Sequence, residues 1–365
     1  MADPLAYFSA EEVARSRSYH RPRYWAGAAG LALDAGMLAA LSWTAAGDAL
    51  DPASLPWWAR TLAYAAIVVG VLTAVGTPLA LWSGLVRERR WGFSTQRLSA
   101  WLGDRLKGLL VNAVLTAGAF LAVVALARAL PGWWPAPVAA ALAVMVLFLS
   151  FVAPVVLEPL FNRYEPLRDD ALAASLRKLA ERAGVPVRQV LVQDASRRTR
   201  KANAYVSGLG RTRRVVVADT LLEQAPAAEI ELVTAHELGH RRHRHVLQGT
   251  LLSMAAVVAG TAVVWAVLGT ATADPHRIPE ALLIALGLGL AATPLLTARS
   301  RSWERTADRF ALSLTGDRAA YESTFRRLAR VNLSDLDPPR LVHLLLSTHP
   351  TPPERLAAGA RAGSC

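Results

Sequence analysis

The chain has 365 residues, 53% of them hydrophobic, with a mean hydropathy of +0.28 and a formal net charge of +12. A soluble enzyme of this length is usually more polar. The single cysteine, Cys365, excludes an intrachain disulfide and a thiolate metal site, and its place at the last position gives the chain no prenylation signal of its own.

The N-terminal stretch MADPLAYFSAEEVARSRSYHRPRY is polar and lacks the apolar core of a cleavable signal peptide. Six apolar blocks follow, near residues 25–46, 61–84, 108–130, 136–158, 247–269 and 278–298. Each is long enough to cross a bilayer as a helix, which takes about 20 residues. Asp34 in the first block and Asn112 in the third suit hydrogen bonding between helices. Basic residues gather in RSRSYHRPRY, in RERRWGFSTQRLSAWLGDRLK, and after the fourth and sixth blocks. The alternate loops GDALDPASLPWW, PGWWPAP and TATADPHRIP carry little positive charge and several tryptophans or acids. The positive-inside rule therefore predicts six spans in the cell membrane, both termini in the cytoplasm and an outer belt of tryptophans. Because the basic residues map onto membrane-flanking loops, they argue for a lipid bilayer as partner and against nucleic acid.

This pattern divides the chain into 1–158, with four membrane helices; 159–246, a cytoplasmic subdomain; 247–298, two further membrane helices; and 299–365, a C-terminal cytoplasmic segment. In the subdomain, RDDALAASLRKLAERAG has helical spacing and a glycine stop, and VRQVLVQD, NAYVSGLG and RRVVVADTLL read as three short strands. PAAEIELVTAHELGHRRHRHVLQG then reads as one helix running unbroken into the fifth span. RSRSWERTADRFALSL opens the last segment as a helix.

The stretch TAHELGH carries the chemistry. His236 and His240 lie one helical turn apart, so both imidazoles face one way and can share a zinc ion. Glu237 can reach a water at that metal as general base. A catalytic zinc needs a third protein ligand and an open fourth position. Glu304 is the candidate, with Asp308 one turn later able to hydrogen-bond the outer nitrogen of a metal-bound imidazole. The alternative is a salt-bridged surface helix in which both carboxylates face Arg301 or Arg305. His243 and His245 read as interfacial basic residues, because a fourth protein ligand would close the site.

These residues resemble the integral-membrane zinc metalloproteases of the CAAX prenyl endopeptidase family, and the resemblance runs in order along nearly the whole chain. EEVARSRSYHRPRY, RRWGFSTQRLSAWLGDRLK, the stretch PLFNRYEPLRDD through VVVADTLL, HELGH, SRSWERTADRFA and HPTPPERL all have counterparts. The resemblance implies a mainly α fold: a multi-span transmembrane helical bundle with a cytoplasmic α+β zincin-like metallopeptidase domain. It implies one Zn2+ per chain held by His236, His240 and Glu304, Glu237 as catalytic base and Asp308 as supporting carboxylate. It implies that Asn203, Ala204 and Tyr205 lie on a strand that pairs with the substrate backbone. His349 and Arg355 match a pair thought to stabilise and orient the oxyanion. Eukaryotic members have seven spans, and the count of six here agrees with an inside N-terminus. The implied function is hydrolysis of membrane-bound or prenylated (CAAX-type) peptides by a metal-activated water. The alternatives are a quality-control protease of the heat-shock type and a non-catalytic transporter or receptor. The last leaves His236, Glu237, His240 and Glu304 unexplained.

Overall fold

The computed structural model describes residues 2–208 and 210–361; Cys365 lies outside them. Helix α1 (Ala10–Trp43) starts at a capping box in which Ser9 and Glu12 satisfy each other's backbone N–H groups. A short α2 (Ala45–Leu50) precedes α3 (Trp57–Leu81), which passes through one wide turn at 82–86 into α4 (Arg87–Arg90). Helices α5 (Leu98–Ala129) and α6 (Pro135–Val152) follow, and α6 continues through a second wide turn into α7 (Glu158–Phe161). The catalytic lobe then begins with β1 (Tyr164–Pro166), α8 (Asp170–Arg182), β2 (Gln189–Gln193), β3 (Ala204–Ser207), β4 (Arg214–Ala218) and α9 (Asp219–Gln224). Last come α10 (Ala227–Arg242), α11 (His245–Leu268), α12 (Ile278–Thr315), α13 (Arg318–Val331), α14 (Arg340–Leu346) and α15 (Pro352–Arg361).

Among the described residues, six helices are long and apolar enough to cross a membrane, in the order the composition predicts. Several overshoot it. Helix α12 has 38 residues, or about 57 Å at 1.5 Å per residue, against a hydrocarbon layer of about 30 Å. Its apolar half ends near residue 298, and the remainder projects from the bilayer carrying Glu304 and Asp308. Asn112 pairs with Thr116 one turn along its own helix (3.3 Å), not with a neighbouring helix.

The sheet has strand order β1-β2-β4-β3, with β2 and β4 parallel and the outer pairs antiparallel. The three strands read from the sequence are present; β1, only three residues long, was below the reach of periodicity. Strand β3 is an edge. Helix α8 buries Leu172, Leu176, Leu179 and Ala180 against the sheet. The same core takes in Val215, Val217, Ala235 and Leu238 with Tyr321 and Phe325. It also takes in Phe8 and Val13, so the start of the chain packs into the catalytic lobe. A separate core joins Leu38, Leu41, Tyr64, Val68 and Ile278 of the membrane bundle. Lys201 to Glu88 (2.8 Å) and Arg198 to Asp104 (2.9 Å) tie the lobe to the bundle.

One sequence expectation is overturned. The helix carrying HELGH does not run unbroken into the fifth span. It stops at Arg242, and Arg244 adopts a left-handed conformation (φ 57°, ψ 31°) before α11 begins. That conformation costs an L-residue about 1 kcal/mol, and no glycine or proline announces it. Its effect is to bring His245 back beneath His240.

Candidate metal centre

Helix α10 starts after Pro226 and buries Ile230, Leu232, Ala235 and Leu238 in the lobe core. That leaves His236, Glu237 and His240 on the opposite side, where His236 and Glu237 line a cavity of about 860 Å³ and His240 is half-buried beside His236. The approach of α12 depends on Gly239. A Cβ there would sit 3.1 Å from the Ala307 Cα and the Phe310 ring, so any larger residue would hold Glu304 and Asp308 away from the imidazoles.

The three donor groups form a closed triangle, with Glu304 presenting a different carboxylate oxygen to each imidazole. His236 Nε2 and His240 Nε2 are 3.2 Å apart. Glu304 Oε2 is 3.3 Å from the first, and Oε1 is 3.3 Å from the second. Metal–ligand bonds of about 2.0–2.1 Å arranged tetrahedrally give edges of about 3.3 Å, so the three side chains already hold the spacing of ligands around one small dication. The buried Glu304 Oε2 has no hydrogen-bond partner among the described residues, which a metal bond would remedy. Two imidazoles and a carboxylate are a donor set suited to such an ion.

The two candidate imidazole ligands are each held from behind. Asp308 Oδ1 lies 2.9 Å from His236 Nδ1, and Arg355 clamps Asp308 through Nε (2.8 Å) and Nη2. Arg355 in turn lies over the Phe325 ring at 4.0 Å. Burial opposes positive charge on His236, but the neighbouring carboxylates of Asp308 and Glu304 prevail and raise its pKa to about 9. Glu304 and Asp308 thus face the centre, not Arg301 or Arg305. His240 has its own support: His245 Nδ1 lies 3.0 Å from His240 Nδ1, and the His245 ring stacks on Trp303 at 5.4 Å. His245 is buried. The structure therefore corrects its reading as an interfacial basic residue, whereas His243 is exposed. Spacing concealed this, because an unbroken helix would carry His245 away from His240; only the left-handed turn at Arg244 brings them together.

Burial raises the Glu237 carboxyl while the two imidazoles oppose the shift, leaving it above the usual carboxylate range and better matched to proton transfer near neutrality. His349 stands at the rim with Nε2 3.3 Å from Glu304 Oε1. Its Nδ1 lies 2.8 Å from the Thr348 hydroxyl; with that hydroxyl as donor, the ring proton sits on Nε2.

Asn203 and Ala204 also line the cavity. Ala218 N–H donates to Asn203 C=O, so in the antiparallel ladder the backbone groups of Ala204 and Val206 point away from β4. The Val206 carbonyl is taken by Arg241 of α10 (Nε 3.2 Å). The Tyr205 side chain lies elsewhere, its hydroxyl 3.0 Å from that of Tyr164, and its backbone pairs with Val216 of β4, so neither lies on the open strand edge.

Residues 166–361 match the family model for peptidase family M48. Residues 3–163 match the model described as CAAX prenyl protease N-terminal, five membrane helices; four of the six candidate spans lie there. The chain is 28% identical over 97% of its length to an uncharacterized metalloprotease, YhfN, of Bacillus subtilis, covering 87% of that protein. It is 30% identical to CAAX prenyl protease 1 of Saccharomyces cerevisiae over 53% of this chain and 43% of the yeast protein. It is 28% identical to the CAAX prenyl protease 1 homolog of Arabidopsis thaliana over 82% of this chain and 73% of the plant protein. Its fold matches the crystal structure of S. mikatae Ste24p with a TM-score of 0.80 at 24% identity, over 96% of this chain and 89% of that one.

Proposed function

The chain belongs to peptidase family M48 and is a membrane metalloendopeptidase; from that premise we propose that it is a zinc enzyme cutting membrane-held polypeptides, prenylated ones among them, at the centre formed by His236, His240 and Glu304. The observation that carries the assignment is the triangle of donor atoms at 3.2–3.3 Å beside Glu237. A bound zinc supplies Lewis acidity and makes water a competent nucleophile at neutral pH.

The residues divide the remaining work. Glu237 takes the proton of the attacking water and passes it to the leaving amine. His349 Nε2 donates to the oxygen that gains charge, a contribution whose loss typically costs about 10²–10³ in turnover. Asp308 fixes the tautomer of His236, Arg355 fixes Asp308, and His245 orients His240. The outward backbone groups of Ala204 take the substrate as an added strand next to Asn203. Arg241, occupying the Val206 carbonyl, ends that pairing one register step further along.

A cavity of about 550 Å³ among α5, α6, α11 and α12, lined almost wholly by apolar side chains such as Phe120, Val138, Leu142 and Leu288, supports a hydrocarbon-bearing substrate. The arginine-rich segments flanking the spans support a cytoplasmic lobe, with the chain's termini on the same side. On this reading 1–158 and 247–298 are the membrane parts, and 159–246 and 299–365 together make the lobe. Glu237→Gln should retain stoichiometric zinc by metal analysis and lose about 10³-fold in peptide cleavage. Normal cleavage by that variant would remove Glu237 from the base role. Preferential cleavage of a farnesylated over an unmodified peptide tests the substrate assignment; equal rates would favour the quality-control reading.

A further inference from the structure

Helix α14 is inside out for a helix in water. It buries His343, whose Nε2 pairs with Glu354 at 3.2 Å, and turns Leu341, Leu344 and Leu345 outward, 71%, 46% and 43% exposed. Leu346 at its end is 58% exposed. Residues i, i+3 and i+4 share one helical face, so the outward side is continuous leucine. Among the described residues of 161–245 and 297–361, these four leucines are the only large hydrophobic side chains that stand exposed. Everywhere else the catalytic lobe covers its apolar surface, as a water-facing lobe does.

The attachment point of α14 says what covers this face. Arg301, itself buried, donates to the carbonyls of His343 (3.0 Å), Leu344 (3.0 Å) and Ser347 (2.6 Å). The Thr297 hydroxyl donates to the Leu345 carbonyl (3.2 Å). Residues 297–301 are where α12 changes from an apolar span to the sequence RSRSWER. The leucine face therefore lies at the level where the span leaves the hydrocarbon, alongside Leu295 and Leu296, 77% and 45% exposed on α12. It continues the lipid-facing surface of the bundle. At the other end of α14, Leu346, Ser347, Thr348 and His349 form one rim of the catalytic cavity.

We propose that α14 is an interfacial membrane helix whose leucines enter the acyl boundary of the leaflet, which makes the Leu346–His349 rim the bilayer-side entrance to the metal centre. The second half rests on the peptidase reading and narrows its substrate class. Chains held at the bilayer by an anchor reach the centre over α14.

The lipid contact is tested without reference to turnover. Leu344→Cys in a Cys365→Ser background, carrying a thiol-linked NBD fluorophore, is placed in phosphatidylcholine nanodiscs holding one protein each. The expected result is blue-shifted emission quenched by lipids brominated near the top of the acyl chain. Water-like emission untouched by bromolipid overturns the proposal. A blue shift that appears only when two copies share a disc assigns the face to a second copy and overturns it as well. The entrance is tested with Leu341→Asp/Leu344→Asp. The ratio of cleavage rates for a bilayer-anchored peptide over the same peptide without its anchor should fall about tenfold, the loss expected from withdrawing leucine area from lipid. An unchanged ratio overturns the entrance. A preparation that cleaves neither peptide counts against the peptidase reading while the fluorescence still decides the lipid contact.

Discussion

Two clusters of histidine, carboxylate and arginine sit at opposite ends of α11, about 36 Å apart for its 24 residues. One is the candidate metal centre. The other joins two loops between spans: Asp51 accepts from Arg60 Nε (2.8 Å) and Nη2 (2.5 Å). His276 Nδ1 lies 3.0 Å from Asp51, Nε2 lies 3.5 Å from Asp48, and Arg60 also meets Asp274 at 3.1 Å. The side-chain types are the same in both. They differ in how the charges are satisfied. At the far end both oxygens of Asp51 are met by cations within the protein, and the His276 ring is engaged at both nitrogens and stacks on Tyr64. At the catalytic end two ring nitrogens face each other and a buried carboxylate oxygen lacks a hydrogen bond. A cluster that closes on itself is a clasp. One that leaves three lone pairs converging invites an ion.

The contrast is broken most severely by removing one of the converging lone pairs. His236→Ala should lose both metal and cleavage, with turnover down by at least about 10³, whereas alanine at His276 should leave metal content untouched. Metal analysis of the two purified variants decides it; a metal-replete His236→Ala protein would reject the triangle as the binding site.

The next effect comes from behind the ligands. His245→Phe keeps the ring against Trp303 but removes the partner of His240 Nδ1, and loss of such a partner typically lowers metal affinity about 10–100-fold. His245→Asn, which returns an acceptor near the same position, should recover most of that affinity. Chelator competition measures both. A phenylalanine variant that binds metal like the parent would reduce His245 to packing.

A smaller effect tests the close approach of helices. Gly239→Ala places a methyl 3.1 Å from the Ala307 Cα, between Glu304 and Asp308 in sequence. Overpacking of this kind costs about 1–3 kcal/mol, and moving Glu304 by a few tenths of an ångström should weaken metal affinity by less than His245→Phe does. Thermal melts with and without chelator separate the two effects. An unchanged melt would mean that α12 accommodates the methyl freely.

The two clusters also show what was legible beforehand. Six spans, three of four strands and the ligand spacing of His236 and His240 follow from local periodicity, which acts within one element. Glu304 was a choice between ligand and surface ion pair, because its partner lies on another helix and only the packing of Gly239 against Ala307 brings them together. His349 and Arg355 sit in a loop and a terminal helix whose sequence carries no periodic signal for a site, and they entered through resemblance. His245 was misread because the turn at Arg244 uses a left-handed arginine where no breaker residue marks it. The far clasp escaped notice because Asp51 and His276 are far apart in sequence and ordinary in type.

The clasp gives the weakest expected effect on chemistry and so the sharpest control. Burial would raise the Asp51 carboxyl, but the hydrogen bonds from Arg60 and His276 outweigh it and hold the group below the ordinary carboxylate value. A carboxylate whose folded pKa is depressed contributes stability that is complete above the unfolded value, about 3.9, and is lost as pH falls through the lower folded value. Asp51→Asn removes the charge at every pH and leaves Arg60 and His276 short of an acceptor, a loss of about 1–3 kcal/mol. The variant should therefore melt below the parent at pH 7, with the gap closing as the parent is acidified toward pH 3. Metal affinity and cleavage at neutral pH should match the parent. A gap that stays constant on acidification would show that Asp51 acts through packing alone. A fall in metal affinity would show that the two ends are coupled along α11 and α12, and would end the distinction between a clasp and a site.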